Sequence, residues 1–364
     1  MKVLIAGGGT GGHVFPMLAV ADALRALRDD VEIVFVGTGR GLEARLVPAR
    51  GDRLKTLDVR PLRGAGITGF LRGVGRASGV LPEARALVAA EAPAVVFSVG
   101  GYAAGPVALA AWSLRIPVTL MEPNAVSGLT NRILRPFIRR AYVGFPETVA
   151  DYDPRVVTLT GVPLRAGFTP APYPGRDVPH VLVMGGSQGA LALNDTVPQA
   201  LAACRRAGLA MRITHQTGRG KDEAVRAQYA DGPFASDRVE VVPFIEDVAG
   251  ALADADFVVA RSGAGATAEL CAVGRPGLLI PFPFAADDHQ RHNAASLARS
   301  GAVRCVVQAE ATVARLTAEL RDVLRDRDRR VAMAEAASAR GRTDAATAVA
   351  RDLLWWGGEE VRAA

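Results

Sequence analysis

The chain has 364 residues, of which 49% are hydrophobic and 22% charged, and its formal net charge is +6. These values indicate a globular protein of about two domains and exclude a disordered chain. The basic residues are mixed with acidic ones and form no basic tail, so we expect no nucleic-acid partner.

The sequence predicts a cytoplasmic protein, with neither a signal peptide nor a membrane span. The first apolar run ends at glycine after about five residues, which is too short for the core of a signal peptide. The longer apolar segment Tyr102–Met121 is interrupted by Pro106, Arg115 and Pro117, which makes it a poor candidate for a membrane span. The three cysteines are far apart and predict neither a disulfide framework nor a zinc site.

The first predicted strand runs directly into a glycine-rich turn, KVLIAGGGTGGH, at Lys2–His13. Such a turn lets the backbone approach an anion while the following helix directs its N–H groups toward it, which predicts phosphate as a ligand. The spacing also fits a dinucleotide-binding fingerprint, but that fold needs an acid at the end of the second strand. The second strand, Val31–Gly37, carries only Glu32, at its other end. A nicotinamide or flavin enzyme is therefore disfavoured, and a tight turn without a ligand stays open.

Short β-branched runs alternate with helical sequence through the first half, which is typical of β-α-β units and a parallel sheet. The predicted strands are Val3–Ala6, Val31–Val36, Ala94–Val99, Val118–Met121 and Ala141–Val143. Between Gly161 and Val178 the chain is rich in proline, which predicts a connector. We therefore expect a first domain over residues 1–162 and a second over residues 163–342.

The segment Arg63–Arg76 interleaves arginines with apolar residues, among them Ile67, Phe70 and Leu71. Apolar side chains beside arginines suit the headgroup layer of an anionic membrane. A flexible glycine-rich loop followed by a packed helix is the alternative.

The pattern restarts after the connector, where HVLVMGGSQG at His180–Gly189 again runs from a strand into glycines. Further strands are predicted at Met211–Thr214, Val239–Val242, Phe257–Ala260, Leu278–Ile280 and Val303–Val307. The last segment, residues 343–364, reads as one amphipathic helix that packs on the first domain. The predicted fold is α/β, with two Rossmann-like domains that face each other across a cleft.

The segment Arg261–Glu269 follows a predicted strand and opens a helix. Its small residues allow a diphosphate to lie against the helix N-terminus, and Glu269 is suited to accept hydrogen bonds from the hydroxyls of a ribose. As an alternative, Glu269 stabilises the helix dipole.

Eight motifs occur in one order along the chain and together closely resemble the MurG family of membrane-associated UDP-N-acetylglucosamine transferases. They are GGGTGGH (Gly7–His13), GGYAAGP (Gly100–Pro106), EPNA (Glu122–Ala125), GVPLR (Gly161–Arg165), GGSQGA (Gly185–Ala190), FIEDV (Phe244–Val248), RSGAGATAE (Arg261–Glu269) and DDHQRHNA (Asp287–Ala294). The resemblance implies a glycosyltransferase B fold and an inverting hexosyltransferase that acts in peptidoglycan synthesis. It would move N-acetylglucosamine from UDP-N-acetylglucosamine to the C4 hydroxyl of the N-acetylmuramyl sugar of undecaprenyl-linked lipid I, giving lipid II.

The resemblance also implies a peripheral protein at the cytoplasmic face of the cell membrane, on an anionic surface that Trp112 would help to contact. Alternatives of the same fold are a UDP-N-acetylglucosamine 2-epimerase and a glycolipid glycosyltransferase, and a third is a sugar-nucleotide-binding protein without catalysis. The EPNA and GGYAAGP motifs favour lipid I as the acceptor.

Carried over by position, the resemblance assigns most substrate contacts to the glycine loops. Asn124 and Arg165 would lie near the sugar and phosphates, Ser187 would bind the diphosphate, and Ile245 would offer its backbone to the uracil. The full predicted set is Thr10, Gly11, Gly12, Tyr102, Asn124, Arg165, Ser187, Gln188, Gly189, Ile245, Ala264, Gly265, Ala266, Thr267, Ala268, Glu269, His289 and Gln290.

Inversion by single displacement needs one base near the acceptor hydroxyl. His13, at the end of the first glycine turn, is the first candidate, with a hydrogen-bonding role at the helix start as its alternative. Glu122 is the second candidate, and its alternative is to cap a turn. No metal is expected, because none of the three Asp-x-Asp pairs stands beside a glycine loop. The resemblance implies no cofactor either, since UDP-N-acetylglucosamine is a substrate.

Overall fold

A computed structural model of the protein describes residues 1–59, 67–186, 188–234 and 238–358, without the side chains of residues 67–78. The chain forms two compact units. The first contains Met1–Ala166 together with the C-terminal segment that begins at Asp344, and the second contains Gly167–Thr343. Within the described ranges, every helix is too short or too polar to cross a membrane.

The first unit is an α/β layer structure around one parallel sheet. Its strands are β1 (Lys2–Gly7), β2 (Glu32–Gly37), β3 (Arg53–Thr56), β4 (Val95–Gly100), β5 (Val118–Glu122), β6 (Arg140–Val143) and β7 (Val157–Leu159). Its helices are α1 (Gly11–Leu27), α2 (Glu43–Ala49), α3 (Ile67–Glu91), α4 (Ala104–Ser113), α5 (Leu129–Leu134) and, from the other end of the chain, α13 (Ala345–Trp356).

Strand order in this sheet is β3-β2-β1-β4-β5-β6-β7. The central strands are buried along almost their whole length, as expected where helices cover both faces of a parallel sheet. The order reverses between β1 and β4, so the turns after these two strands flank the point where such sheets bind ligands.

The second unit repeats the architecture. Its strands are β8 (His180–Met184), β9 (Arg212–Gln216), β10 (Val239–Val242), β11 (Phe257–Ala260), β12 (Gly277–Leu279) and β13 (Val303–Cys305). Its helices are α6 (Leu191–Arg206), α7 (Asp222–Ala230), α8 (Val248–Asp254), α9 (Ala264–Val273), α10 (His289–Arg299), α11 (Val313–Leu324) and α12 (Arg327–Arg340). The order β10-β9-β8-β11-β12-β13 reverses between β8 and β11.

The predicted C-terminal helix is shorter than expected. α13 begins at Ala345 and ends at Trp356, where two glycines follow, and residues 359–364 lie outside the described part. The helix packs against α1, and Asp352 accepts hydrogen bonds from Arg140 Nε at 3.0 Å and from the Tyr142 hydroxyl at 2.8 Å. Burial, with Asp352 beside it, raises the pKa of Tyr142. The end of the chain thereby completes the first unit.

The proline-rich connector is attached to the second unit by Arg275, which is fully buried. Its guanidinium donates to the carbonyl oxygens of Ala171 at 3.1 Å and Pro172 at 2.8 Å, and also to those of Leu252 and Ala253. Because these carbonyls belong to loops and helix ends, one side chain satisfies acceptors that would otherwise be buried without a donor.

Candidate active site

The first glycine turn lies at the switch point of the first sheet. Gly8 and Gly9 have φ values of +139° and +94°, which favour glycine. Across the switch point, a Cβ on Gly101 would lie 2.7 Å from the carbonyl oxygen of Gly8. The turns after β1 and β4 therefore touch through their backbones, and neither tolerates a side chain there.

A carboxylate that the sequence analysis missed lies inside this turn. Glu43, at the start of α2, is fully buried, and its Oε2 accepts a hydrogen bond from Gly9 N–H at 2.7 Å. Its Oε1 accepts from the Thr38 backbone N–H at 2.9 Å and from the Thr38 hydroxyl at 2.8 Å. The Gly9 N–H is thus bonded to a protein carboxylate, and phosphate binding by the rest of this turn stays a prediction. The sequence signal for this buried acid is the run of glycines before it, Gly37, Gly39 and Gly41.

His13 lies on the first turn of α1, with Nδ1 3.2 Å from the carbonyl oxygen of Gly8. A carbonyl oxygen only accepts, so Nδ1 carries the hydrogen and the neutral ring has its lone pair on Nε2. A Cβ on Gly100 would lie 3.5 Å from that Nε2. The proton-accepting nitrogen thus points toward the turn after β4, where the predicted base would act.

Glu122, the second candidate base, is buried at the end of β5. Oε1 accepts from the backbone N–H of Asn124 at 3.0 Å, and Oε2 accepts from Gly128 N–H and from Asn131 Nδ2, both at 2.9 Å. Burial raises the pKa of Glu122, while these donors act in the opposite direction. The contacts favour the turn-capping role, and catalysis by Glu122 stays a prediction.

Other predicted substrate-binding residues of the first unit follow β1 and β4. Thr10 is the exposed N-cap residue of α1, and its side chain makes no capping hydrogen bond. Gly11 and Gly12 open that helix, and Tyr102 follows β4 with its ring partly exposed. The Arg165 guanidinium lies 4.7 Å from the centroid of the Phe15 ring, on the next turn of α1.

In the second unit, the loop between β8 and α6 folds tightly against the end of β9. Gly189 has φ +69°, and a Cβ there would lie 1.8 Å from the Thr217 carbonyl oxygen. Gln216 Nε2 donates to the Gly186 carbonyl at 2.9 Å, and Lys221 Nζ donates to the Gln188 carbonyl at 2.7 Å. Ser187, the predicted diphosphate ligand, lies outside the described residues.

The segment after β11 also begins a helix at the switch point. Gly263 is the N-cap residue of α9, with no side-chain cap, and Gly265 and Ala266 follow on its first turn. The Thr267 hydroxyl is buried and donates to the Ala264 carbonyl oxygen at 2.9 Å, so the role of Thr267 in lining the nucleotide stays a prediction. Its side chain is therefore turned into the helix. Ala268 and Glu269 are partly exposed one turn further along.

Gln290 and His289 begin α10, beside the start of α9. The Ser262 hydroxyl donates to the Gln290 carbonyl at 2.8 Å, and Gln290 Oε1 accepts from the Phe282 N–H at 3.0 Å. The turn before them holds Asp287 and Asp288, both with φ +51°, a conformation that non-glycine residues adopt at a cost. Arg261 donates to the carbonyl oxygens of Ile280 and Pro281, which follow β12.

Ile245 lies in the loop between β10 and α8 and is partly exposed. Asp247 caps α8 by accepting from Gly250 N–H at 2.8 Å. Since β8 to β12 run parallel, the loops that follow these five strands share one edge of the second sheet. Of the predicted membrane patch, the side chains of Ile67, Phe70 and Leu71 lie outside the described set.

Trp112, the remaining residue of that patch, is 53% exposed on α4 and contacts Phe137 edge-on, with 4.9 Å between ring centroids. As for metals, the described residues hold no cluster of three or more histidine, cysteine or acidic side chains suited to bind one. Two Rossmann-like units, each with a glycine turn at the switch point of a parallel sheet, define a protein of the glycosyltransferase B class.

Comparison with known proteins narrows the class. Residues 3–143 match the glycosyltransferase family 28 N-terminal domain, and residues 180–349 match the C-terminal domain of the same family. The chain belongs to glycosyltransferase family 28 and, within it, to the MurG transferases.

A relative from Sorangium cellulosum (strain So ce56) is 56% identical over 357 residues, which are 97% of this chain and 88% of the relative. It is named UDP-N-acetylglucosamine–N-acetylmuramyl-(pentapeptide) pyrophosphoryl-undecaprenol N-acetylglucosamine transferase. The crystal structure of Acinetobacter baumannii MurG is 31% identical, with a TM-score of 0.82 over 97% of this chain and 99% of that chain.

A UDP-N-acetylglucosamine 2-epimerase from Neisseria meningitidis, bound to UDP-N-acetylglucosamine, is similar only in fold. It is 12% identical, with a TM-score of 0.66 over 98% of this chain and 100% of that chain. The family identification therefore favours the transferase over the epimerase alternative.

Proposed function

We propose that this protein transfers N-acetylglucosamine from UDP-N-acetylglucosamine to the C4 hydroxyl of the N-acetylmuramyl sugar of lipid I, forming lipid II for the cell wall. The observation that carries the proposal is the 56% identity, over 97% of the chain, with a relative named for this transfer. The enzyme is an inverting hexosyltransferase, and UDP-N-acetylglucosamine is its substrate rather than a cofactor.

The second unit binds the donor in this proposal. The N-terminus of α6, reached through Gln188 and Gly189, and that of α9, at Ala264 and Gly265, offer backbone N–H groups to the diphosphate. Glu269 accepts hydrogen bonds from the ribose, the backbone of Ile245 meets the uracil, and Gln290 with His289 meets the sugar hydroxyls. The departing diphosphate is stabilised by these N–H donors and needs no general acid. The proposal therefore includes no metal ion.

His13 is the base in this proposal. Its Nε2 takes the proton of the C4 hydroxyl while that oxygen bonds to C1 of N-acetylglucosamine and the bond from C1 to the diphosphate oxygen breaks. UDP leaves with the bonding electrons, and C1 is inverted in one step. The support is the Nδ1 contact with the Gly8 carbonyl, which leaves Nε2 as the basic nitrogen.

The transfer assay tests this function directly. Radiolabelled UDP-N-acetylglucosamine is incubated with a short-chain lipid I analogue, and labelled lipid II analogue is the expected product. A 2-epimerase would instead convert the sugar nucleotide without any acceptor, and a binding protein would leave it intact. His13→Ala is expected to lose at least a hundredfold in turnover at saturating substrates. Turnover within threefold of wild type would refute the assignment of the base.

The anionic membrane surface is the second partner in this proposal, at the cytoplasmic face of the cell membrane. Trp112 is 53% exposed, and Leu129 and Ile133 on α5 are 45% and 48% exposed. Trp112→Ser should weaken flotation with anionic vesicles. Trp355→Ser is the matched control, because Trp355 is 57% exposed on α13. Equal flotation of the two variants would contradict the role of Trp112.

A further inference from the structure

The peptide group between Gly8 and Gly9 is hydrogen-bonded at both ends. Its N–H donates to Oε2 of Glu43 at 2.7 Å, and its carbonyl oxygen accepts from Nδ1 of His13 at 3.2 Å. We propose that Glu43 is a positioning residue that acts on His13 through this peptide group, orienting the imidazole and raising its basicity. The inference rests on the proposed role of His13 as the base.

The Glu43 carboxylate lies in the protein interior, where its electric field on neighbouring groups is strong. Glu43 is fully buried, and the donors on Oε1 both come from Thr38, which follows β2. In a protein interior the field of a carboxylate is less screened than in water. A peptide that donates its N–H to a negative charge carries more negative charge on its carbonyl oxygen. The Gly8 carbonyl is therefore a stronger acceptor for the His13 Nδ1–H.

Three glycines make the space that this carboxylate fills. A Cβ on Gly8 would lie 2.3 Å from Cδ of Glu43, and one on Gly37 would lie 2.5 Å from its Cγ. A Cβ on Gly41 would lie 2.1 Å from Oε2. The turns after β1 and β2 therefore carry glycine where they contact Glu43. This close fit determines the position of the Glu43 carboxylate against the Gly9 N–H.

The consequence for the reaction concerns the protonated ring. When Nε2 takes the proton of the acceptor hydroxyl, the imidazolium still donates Nδ1–H to the Gly8 carbonyl, and the Glu43 carboxylate lies on the other side of that peptide group. The proton stays on the ring and later passes to water. A negative charge two hydrogen bonds away stabilises the cation, as the carboxylate of a serine-protease triad does through one.

In the described part of the chain, the ionisable side chains of Glu122 and Arg165 also lie near this end of α1. Asn131 Nδ2 donates to Oε2 of Glu122 at 2.9 Å, and Asn131 Oδ1 would lie 3.6 Å from a Cβ on Gly100. The Arg165 guanidinium lies over Phe15. The test must therefore change Glu43 while leaving both of these groups in place.

The test is the titration of His13 by NMR in protein labelled with ¹⁵N-histidine. The chain has five histidines, so the His13 signals are identified by their loss in His13→Gln. Glu43→Gln keeps the shape of the side chain and removes its charge. Thr38→Val is the matched control, because it removes the hydroxyl bond to Oε1 and leaves both the charge and the contact with Gly9.

We expect the ¹⁵N shifts of neutral wild-type His13 to report the tautomer with hydrogen on Nδ1. Glu43→Gln should lower the pKa of His13 by about one unit, a roughly tenfold change in proton affinity, whereas Thr38→Val leaves it within about 0.2 units. The acidic limb of the kcat/KM profile should move by the same amount. Turnover should fall about tenfold, with KM for UDP-N-acetylglucosamine within about twofold.

The outcomes distinguish the role of His13 as the base from the action of Glu43 on His13. If His13→Gln kept wild-type turnover, the base assignment would fall, and the relay with it. If His13→Gln were inactive but Glu43→Gln titrated as wild type, the relay alone would be wrong. Hydrogen on Nε2 in the wild-type protein would also overturn it, a measurement that stands even if Glu43→Gln does not fold.

Discussion

Gly189→Ala is the sharpest test of the donor loop. Gly189 lies just before α6 with φ +69°, and a Cβ there would lie 1.8 Å from the Thr217 carbonyl oxygen. Real Cβ contacts need at least 3.0 Å, so the loop or the end of β9 must move by about an ångström or more. A misplacement of ~1 Å at a site that positions its substrate costs on the order of a hundredfold in catalytic rate. We expect UDP affinity to fall by about 10- to 100-fold.

Part of any stability loss in this variant comes from the left-handed backbone alone, about 1–2 kcal/mol. Gly208→Ala controls for that part, since Gly208 has φ +88° at the other end of α6 and nothing within 4 Å of its Cβ position. Calorimetry with UDP and urea unfolding should show both variants destabilised and only Gly189→Ala weakened in binding. A folded Gly189→Ala variant that bound UDP within twofold of wild type would refute the reasoning.

Three further outcomes are expected. Arg275→Met should destabilise the second unit by about 3–5 kcal/mol in urea unfolding, because buried carbonyls lose a charged donor; a change below 1 kcal/mol would contradict this. Burial lowers the pKa of His215 to about 3, below its unfolded value, so its contribution to stability is present above pH 6.5 and is lost as pH falls toward 3. At pH 5 the free energy of unfolding should be lower by about 2 kcal/mol in the wild-type protein, and this loss should be absent in His215→Gln. Equal slopes of unfolding free energy against pH in the two proteins would contradict this. Gln290→Ala should lower kcat/KM for UDP-N-acetylglucosamine about a hundredfold and change UDP affinity less than threefold, and equal losses of both would argue against a sugar contact.

The interior strands could be predicted because their apolar runs are nearly continuous. The prediction missed the edge strands β3 and β7, since sequences such as RLKT at Arg53–Thr56 have one apolar residue and are mostly exposed. Their pairing comes from neighbours in the sheet rather than from their own pattern. The C-terminal helix was predicted with its packing partner but without its end at Trp356.

At the candidate site, the motifs located the turns but not the inward-facing contacts. Glu43 reads as an ordinary acid in the first turn of a helix, and only the folded backbone brings its carboxylate to the Gly9 N–H. Likewise, sequence alone does not show that the Thr267 hydroxyl is used inside α9. Such contacts depend on side-chain direction, which residue spacing does not determine.

The attachment of α13 to α1 and β6 has a consequence for biosynthesis. A ribosome releases residues 1–166 of the first unit before the second unit, yet Asp352 and its helix emerge only after the second unit has been made. Residues 1–166 must therefore wait, with the binding surface for α13 uncovered, until residues 345–356 have been made. Nascent chains stalled shortly before residue 344 should recruit chaperones through that surface, whereas the half translated later can finish folding without delay.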